Sequence, residues 1–326
     1  MREPFDAETW SLVASKFVVP FILFHLAILV FRGPFSRRHL EMFVIATLAY
    51  LVFTSLAFLA DARSLIFPRF ILDDSLGIHA DRARGPFLQA VAMGMSLNIL
   101  GILAIVLTRK RRKIVFLLWL MLPLAMLATM TRAVWISFLI STVALGIRLG
   151  GRCLHRACLG VILAGLLVCL MIGLDNGSLM NSFRDRTAER GPVEARMAVY
   201  DAAWEMFQKR PLTGWTAGDV YSELARRMQG YHLRTFYVHN TYLSLLVEFG
   251  IPGLVLYAIL FFNLFRLGRA PSSKESPPLS TLRKAWPILL CVYLFNALFV
   301  DMAYQFVIGL MFTVAGVLCT REEADV

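Results

Sequence analysis

Three side chains in a largely apolar chain are of the right type and place for ionic group transfer: Arg132, Arg196 and His239. A guanidinium grips an oxyanion through two parallel N–H donors and needs no metal to do so. An imidazole titrates near neutrality and suits general acid–base work on a hydroxyl. Taken singly, each has an ordinary reading. Arg132 caps a hairpin between two apolar segments and reads as an anchoring or snorkelling arginine. Arg196, close to Glu194, reads as a solvated helix charge. His239 reads as an interfacial or capping histidine next to Asn240, and His232 and Arg234 compete with it just upstream.

What lies around His239 is more specific. The polar pair His239-Asn240 opens an apolar run that reaches Phe249 and is then interrupted by Gly250-Ile251-Pro252-Gly253. From Ile251 to Arg266 there are 16 residues, roughly 24 Å of helix. That is short of a hydrocarbon core of roughly 30 Å. The piece from Asn240 to Phe249 is therefore expected to be partly embedded, as a half-helix or a steep tilt, lining a protein cavity. Glu248, costly against lipid, is expected to face the bundle in a structural role.

The elements that must position these residues are membrane spans. Of 326 residues 58% are hydrophobic and 17% charged, with a mean hydropathy of +0.66. The expected fold is an all-α, polytopic transmembrane bundle, because its long unbroken apolar runs do not alternate as barrel strands do. Nine spans are predicted, at about 12–31, 40–60, 87–107, 114–130, 133–149, 157–174, 240–266, 285–302 and 304–320. The chain divides accordingly into N-terminal helices (1–174), a polar loop (175–238) and C-terminal helices (239–326). Basic clusters at Arg32–Arg38, Arg109–Lys113, Arg148–Arg156 and Arg266–Lys284 agree on one side as cytoplasmic. The Arg132 turn and the long loop then lie outside. Within that loop Pro192–Gln208 reads as an amphipathic helix, with Val193, Met197, Tyr200, Trp204 and Phe207 at helical spacing, and a shorter helix follows near Val220–Met228.

Several classes are set aside. The net charge of +11 is distributed as the positive-inside pattern, which fixes orientation and says nothing of nucleic acid. The five cysteines avoid the loop and form no CxxC or Cys/His metal spacing, so neither a disulfide framework nor a metal site is expected. No basic n-region marks a cleaved signal peptide. Phosphate loops, nucleophile elbows and HExxH sites do not occur, and no cofactor is expected.

His239-Asn240, a nine-residue spacer and Gly250-Ile251-Pro252-Gly253 together resemble a signature of bacterial O-antigen ligases. Thr131-Arg132-Ala133-Val134-Trp135 resembles the Ser/Thr-Arg-x-x-Trp segment of the wider O-antigen ligase/polymerase group. Glu194-Ala195-Arg196, followed by Trp204, Pro211 and Gly214, resembles that group's loop pattern. The resemblance implies a GT-C-like, metal-independent glycosyltransferase in the bacterial inner membrane, with its active site on the periplasmic face. The implied donor is a glycan on undecaprenyl diphosphate and the implied acceptor a sugar hydroxyl, such as lipid A-core. Carried over residue by residue, Arg132 and Arg196 bind the diphosphate, His239 activates or positions the acceptor, Asn240 contributes to substrate binding, and Gly250 and Gly253 shape the motif. Family members commonly have about twelve spans with both ends inside, against nine here with the N-terminus outside. Three missing N-terminal spans would explain both differences, and a natural short form, a mis-called start and a fragment are the open readings. The alternatives are a repeat-unit polymerase, a lipid-linked sugar transporter, and an inactive, truncated membrane scaffold.

Overall fold

The computed structural model describes residues 14, 18–77, 79–174, 191–215, 217–228, 238–268 and 276–320. Among them eleven α-helices and no strand occur. They are α1 (Val19–Val30), α2 (Pro34–Leu59), α3 (Ala90–Leu107), α4 (Arg112–Ala128), α5 (Arg132–Leu149) and α6 (Gly151–Leu174). After these come α7 (Gly191–Lys209), α8 (Ala217–Arg227), α9 (Thr241–Leu267), α10 (Pro277–Asn296) and α11 (Gln305–Cys319). The protein is an all-helical, polytopic membrane protein.

Each predicted span overlaps a helix, residues 12, 13 and 15–17 of the first lying outside the described residues, and α7 and α8 fall where the two loop helices were expected. By length and composition five helical segments can cross a bilayer: Ser36–Leu59, Ala90–Leu107, Arg132–Leu149, Cys153–Leu170 and Thr241–Leu267. The helices α1 and α11 are apolar but shorter. The largest displacement from expectation is α10, which runs over Pro277–Asn296 and not 285–302. Its start is earlier because Arg283 donates to the carbonyls of Leu267 and Leu318, so a charge can sit inside the helix with its donors used. Its end is earlier because Thr241 holds the segment that follows. The Thr241 N–H donates to Ala297 O at 2.8 Å and its hydroxyl to Val300 O at 2.8 Å, while the Met302 N–H donates to Thr241 Oγ1 at 2.9 Å.

The chain forms two compact units. The first comprises Met1–Leu174, Phe265–Val292 and Ala303–Val326, and the second Asp175–Leu264 and Tyr293–Met302. In the first, α3 is the core element, with 89% of its span buried. It packs against α2, α4, α5 and α11, while α6 packs on α4 and α5 and α1 packs on α11. Asn98 is buried on α3 and supplies polar glue where water is absent. Its Oδ1 accepts from the Ser141 hydroxyl at 2.9 Å and its amide donates to Ser137 Oγ at 3.4 Å, both on α5. The segment between α2 and α3 closes around buried Arg84, whose guanidinium donates to the carbonyls of Ile71, Asp73 and Leu76.

The second unit has its own small core, from Val199, Ala202, Ala203 and Met206 on α7, Val220 and Leu224 on α8, then Met228, Val238 and Val247. This corrects the expected stripe on α7. Met197 and Trp204 remain about half exposed, at 55% and 48%, and the adjacent face is buried instead. The physical reason is size: Ala202 and Ala203 let α8 come close, which bulkier residues would prevent. Arg227 on α8 fastens the pair, reaching Glu205 on α7 at 2.7 Å and Glu223 at 2.8 Å. Hydrogen bonds from Arg226, then from Arg227, hold the Glu223 carboxyl down to about 2, against burial that pushes it up.

Candidate functional site

The site is built on a broken helix. Gly250 has φ 66° and ψ −164°, which divides α9 into arms of 241–249 and 251–267. Only glycine adopts that region without strain. Tyr242 and Tyr257, one on each arm, have ring centroids 6.1 Å apart. On a straight helix residues with that spacing would be separated by about 22 Å. The arms therefore fold back on each other, and the break expected from Gly-Ile-Pro-Gly is sharper than a tilt.

An unbroken helix would pair the Ile251 N–H with the Val247 carbonyl. Here each finds a partner in the turn after α7. The Trp215 N–H donates to Val247 O at 2.7 Å and the Ile251 N–H donates to Pro211 O at 2.8 Å. The turn itself is closed by Gly214 N–H to Arg210 O at 3.0 Å. The fit leaves no room for a side chain. A Cβ on Gly214 (φ +63°) would lie 2.4 Å from Glu248 O, and one on Gly250 would lie 2.6 Å from Pro211 O. A Cβ on Gly253 would meet that of Phe249 at 2.3 Å. Pro211-x-x-Gly214 and the Gly250 break are thus two halves of one interlock, while Gly253 makes room for Phe249 on its own helix. The Trp215 indole N–H donates to Met206 O at 2.9 Å near the end of α7, and Arg210 stacks on its ring at 4.2 Å.

At the other end of the first arm, the Asn240 Oδ1 accepts from the backbone N–H groups of Tyr242 at 2.9 Å and Leu243 at 3.1 Å. Asn240 is therefore the N-cap of α9, using its side-chain oxygen on otherwise orphaned donors. His239 precedes the cap and is partly exposed. Its carbonyl accepts from the Tyr200 hydroxyl on α7 at 2.9 Å. Arg196 lies one helical turn before Tyr200 and is exposed. Burial pushes the Tyr200 hydroxyl up, and the Arg196 charge pulls it partly back. The phenol thus stays protonated, as a donor must. Tyr200 connects the Arg196 face of α7 to the His239 backbone, a role beyond its place in the apolar stripe. Its spacing of four residues from Arg196 was the available signal. Glu248 accepts from the Ser244 hydroxyl at 2.9 Å.

Arg132 belongs to the first unit. It is exposed in the first turn of α5, after a turn in which Met130 takes φ 45°. The Thr129 hydroxyl donates to Met126 O at 2.7 Å, the Thr131 hydroxyl to Thr129 O at 2.9 Å, and the Trp135 indole to Met126 O at 2.8 Å. The Thr-Arg-x-x-Trp segment is thus a closed turn that presents Arg132 at a helix N-terminus, where orphan N–H groups and the helix dipole already favour an anion. His232 and Arg234 lie outside the described residues. Among the described residues no group of three or more His, Cys, Asp or Glu side chains is arranged to hold a metal.

Fold and site together define a polytopic helical membrane protein with a polar rim built on a broken helix. Residues 115–258 match the family model described as O-antigen ligase, which supports an O-antigen ligase family assignment. The matched segment takes in Arg132, Arg196, His239, Asn240, Gly250 and Gly253. No curated protein matches the chain. The match supports a glycosyltransferase-like enzyme of the ligase/polymerase kind, acting on lipid-linked glycans in general.

Proposed function

We propose that the protein transfers a glycan from undecaprenyl diphosphate to a sugar hydroxyl, such as that of lipid A-core, at the periplasmic face of the inner membrane and without a metal. The acceptor oxygen attacks the anomeric carbon of the donor, a new C–O bond forms, and the bond from that carbon to the diphosphate oxygen breaks. His239 receives or orients the acceptor proton. Arg196 stabilises the charge that develops on the departing diphosphate. Arg132 takes the same role on the resemblance of its turn. Asn240 acts here mainly by capping α9, which holds His239 at the helix entrance.

The observation that carries this reading is the 2.9 Å hydrogen bond from Tyr200 to the His239 carbonyl, because it ties the arginine-bearing helix to the histidine. The test is transfer of a lipid-linked glycan to acceptor by purified, membrane-inserted protein. His239→Ala and Arg196→Ala are each expected to lower the rate by at least about 100-fold, the scale of lost acid–base or charge-stabilising groups. Full activity in both would remove the site assignment. Deleting the gene separates ligase from polymerase. Loss of a ligase leaves long glycan on its carrier, whereas loss of a polymerase leaves single repeat units.

A further inference from the structure

A cavity lies in the first compact unit, and none of its lining residues is one assigned to transfer. It has a volume of about 540 Å³ and sits where helix ends meet: the first turns of α2 and α10, the last turns of α3 and α11, and the residue before α4. Its charged lining is three arginines, Arg37, Arg38 and Arg111, against one carboxylate, Glu41. Glu41 is engaged with Arg111 at 3.3 Å. Arg37 donates to Ser276 Oγ at 2.8 Å and to Arg32 O at 3.1 Å, which sets its guanidinium against α10. The remaining wall is apolar and includes Leu40, Leu107, Leu279, Leu282 and Val317.

The composition selects the ligand class. A site for a small soluble anion has little use for five aliphatic walls, and a site for an acyl chain alone has no use for three guanidiniums. An anionic phospholipid needs both. Its phosphate pairs with guanidinium N–H donors, and its first methylenes lie along leucine and valine. Basic pockets between transmembrane helices, at the face where positive charge collects, are where such headgroups bind. The first turns of α2 and α10 add the positive ends of their helix dipoles. The size is that of a small-molecule site.

We infer that the cavity bounded by Arg37, Arg38 and Arg111 holds the phosphate headgroup of an anionic membrane phospholipid, on the basic face of the bundle. Glu41 is its internal competitor: it occupies Arg111 when the lipid is absent and limits how tightly the lipid is held.

The test uses full-length protein in neutral detergent, with phosphatidylglycerol and phosphatidylcholine of identical acyl chains, and native mass spectrometry to count retained lipid. Wild type is expected to retain phosphatidylglycerol preferentially. Arg38→Gln with Arg111→Gln is expected to reduce that preference about 25-fold, at about fivefold for each basic residue near the lipid surface. Glu41→Gln is expected to increase the preference, a gain that misfolding cannot produce. Equal retention of the two lipids by wild type overturns the inference, as does an unchanged preference in the double variant. Displacement of bound lipid by millimolar inorganic phosphate would identify a soluble phosphate as the ligand and overturn the lipid assignment.

Discussion

Two turns in this molecule meet the same demand by different means. In each, a helix ends, and a tryptophan nine residues past a methionine donates its indole N–H to that methionine's carbonyl: Trp135 to Met126, and Trp215 to Met206. In each an arginine stands beside the turn, Arg132 in the first and Arg210 in the second. The left-handed residue differs. At the first turn it is Met130, with φ 45°, and at the second it is Gly214, with φ 63°. The first turn is closed mainly by its own side chains, through Thr129, Thr131 and Trp135. The second is inserted into the break of α9 and donates to, and accepts from, that helix. A self-closed turn tolerates a side chain where the backbone is strained, because the left-handed residue, Met130, stays partly exposed. An interlocked turn does not, because another backbone occupies the space.

The largest expected effect follows from that difference. Gly250→Ala forces a side chain into backbone and into a glycine-only region, costing at least about 1–3 kcal/mol in strain alone. Gly214→Ala meets the Glu248 carbonyl in the same way. Both are expected to lower the melting temperature of detergent-purified protein and to abolish transfer while His239 and Arg196 are intact. A wild-type melting curve for either would show that the interlock does not hold the site together.

The two tryptophans come next. Phenylalanine keeps an aromatic ring and deletes the donor, at a cost of about 1–3 kcal/mol where the buried Met206 carbonyl loses it and less at Met126, whose carbonyl still accepts from the Thr129 hydroxyl. Trp215→Phe is expected to cost more than Trp135→Phe, because it also weakens the stacking of Arg210, worth about 0.5–1 kcal/mol at an exposed site. Equal losses in thermal melts would remove that distinction.

The ion-paired clasp of the second unit gives a pH test. The Glu223 carboxyl lies at about 2 in the folded protein, below its ordinary 4.5. Its contribution is therefore complete above about pH 4.5 and is lost as pH falls towards 2. Glu223→Gln is expected to flatten the stability profile over that window and to leave the neutral-pH rate of transfer unchanged. The smallest effect is expected at the self-closed turn. Met130→Gly relieves left-handed strain of about 1–2 kcal/mol but adds chain entropy of about 0.5–1 kcal/mol. Its melting temperature should rise slightly or hold, whereas the equivalent crowding at Gly214 lowers it.

Much of the local architecture was legible because its causes are local. Apolar runs dictate helices that satisfy their own backbone in lipid, and a Gly-Ile-Pro-Gly sequence breaks one of them. Pro192 and the spacing after it gave α7, but not which of its faces is buried. That choice depended on α8, which reads Ala202 and Ala203 as room to approach. The end of α10 was likewise misplaced, since apolarity continues past Asn296 and only the Thr241 contacts stop the helix.

By itself, then, the sequence determined the helical membrane class, the position of the α9 break and the two loop helices. The tertiary structure decided that the break is filled by the Pro211–Gly214 turn, that Asn240 caps α9, and that Tyr200 fastens α7 to His239. The capping signal lies in Asn240 itself and was overshadowed by its place in the motif. The other two pairings join residues some forty positions apart, and backbone groups freed at a kink carry no side-chain pattern to announce their partners. Their hydrogen bonds had to be satisfied, and only the assembled fold selected which groups would do it.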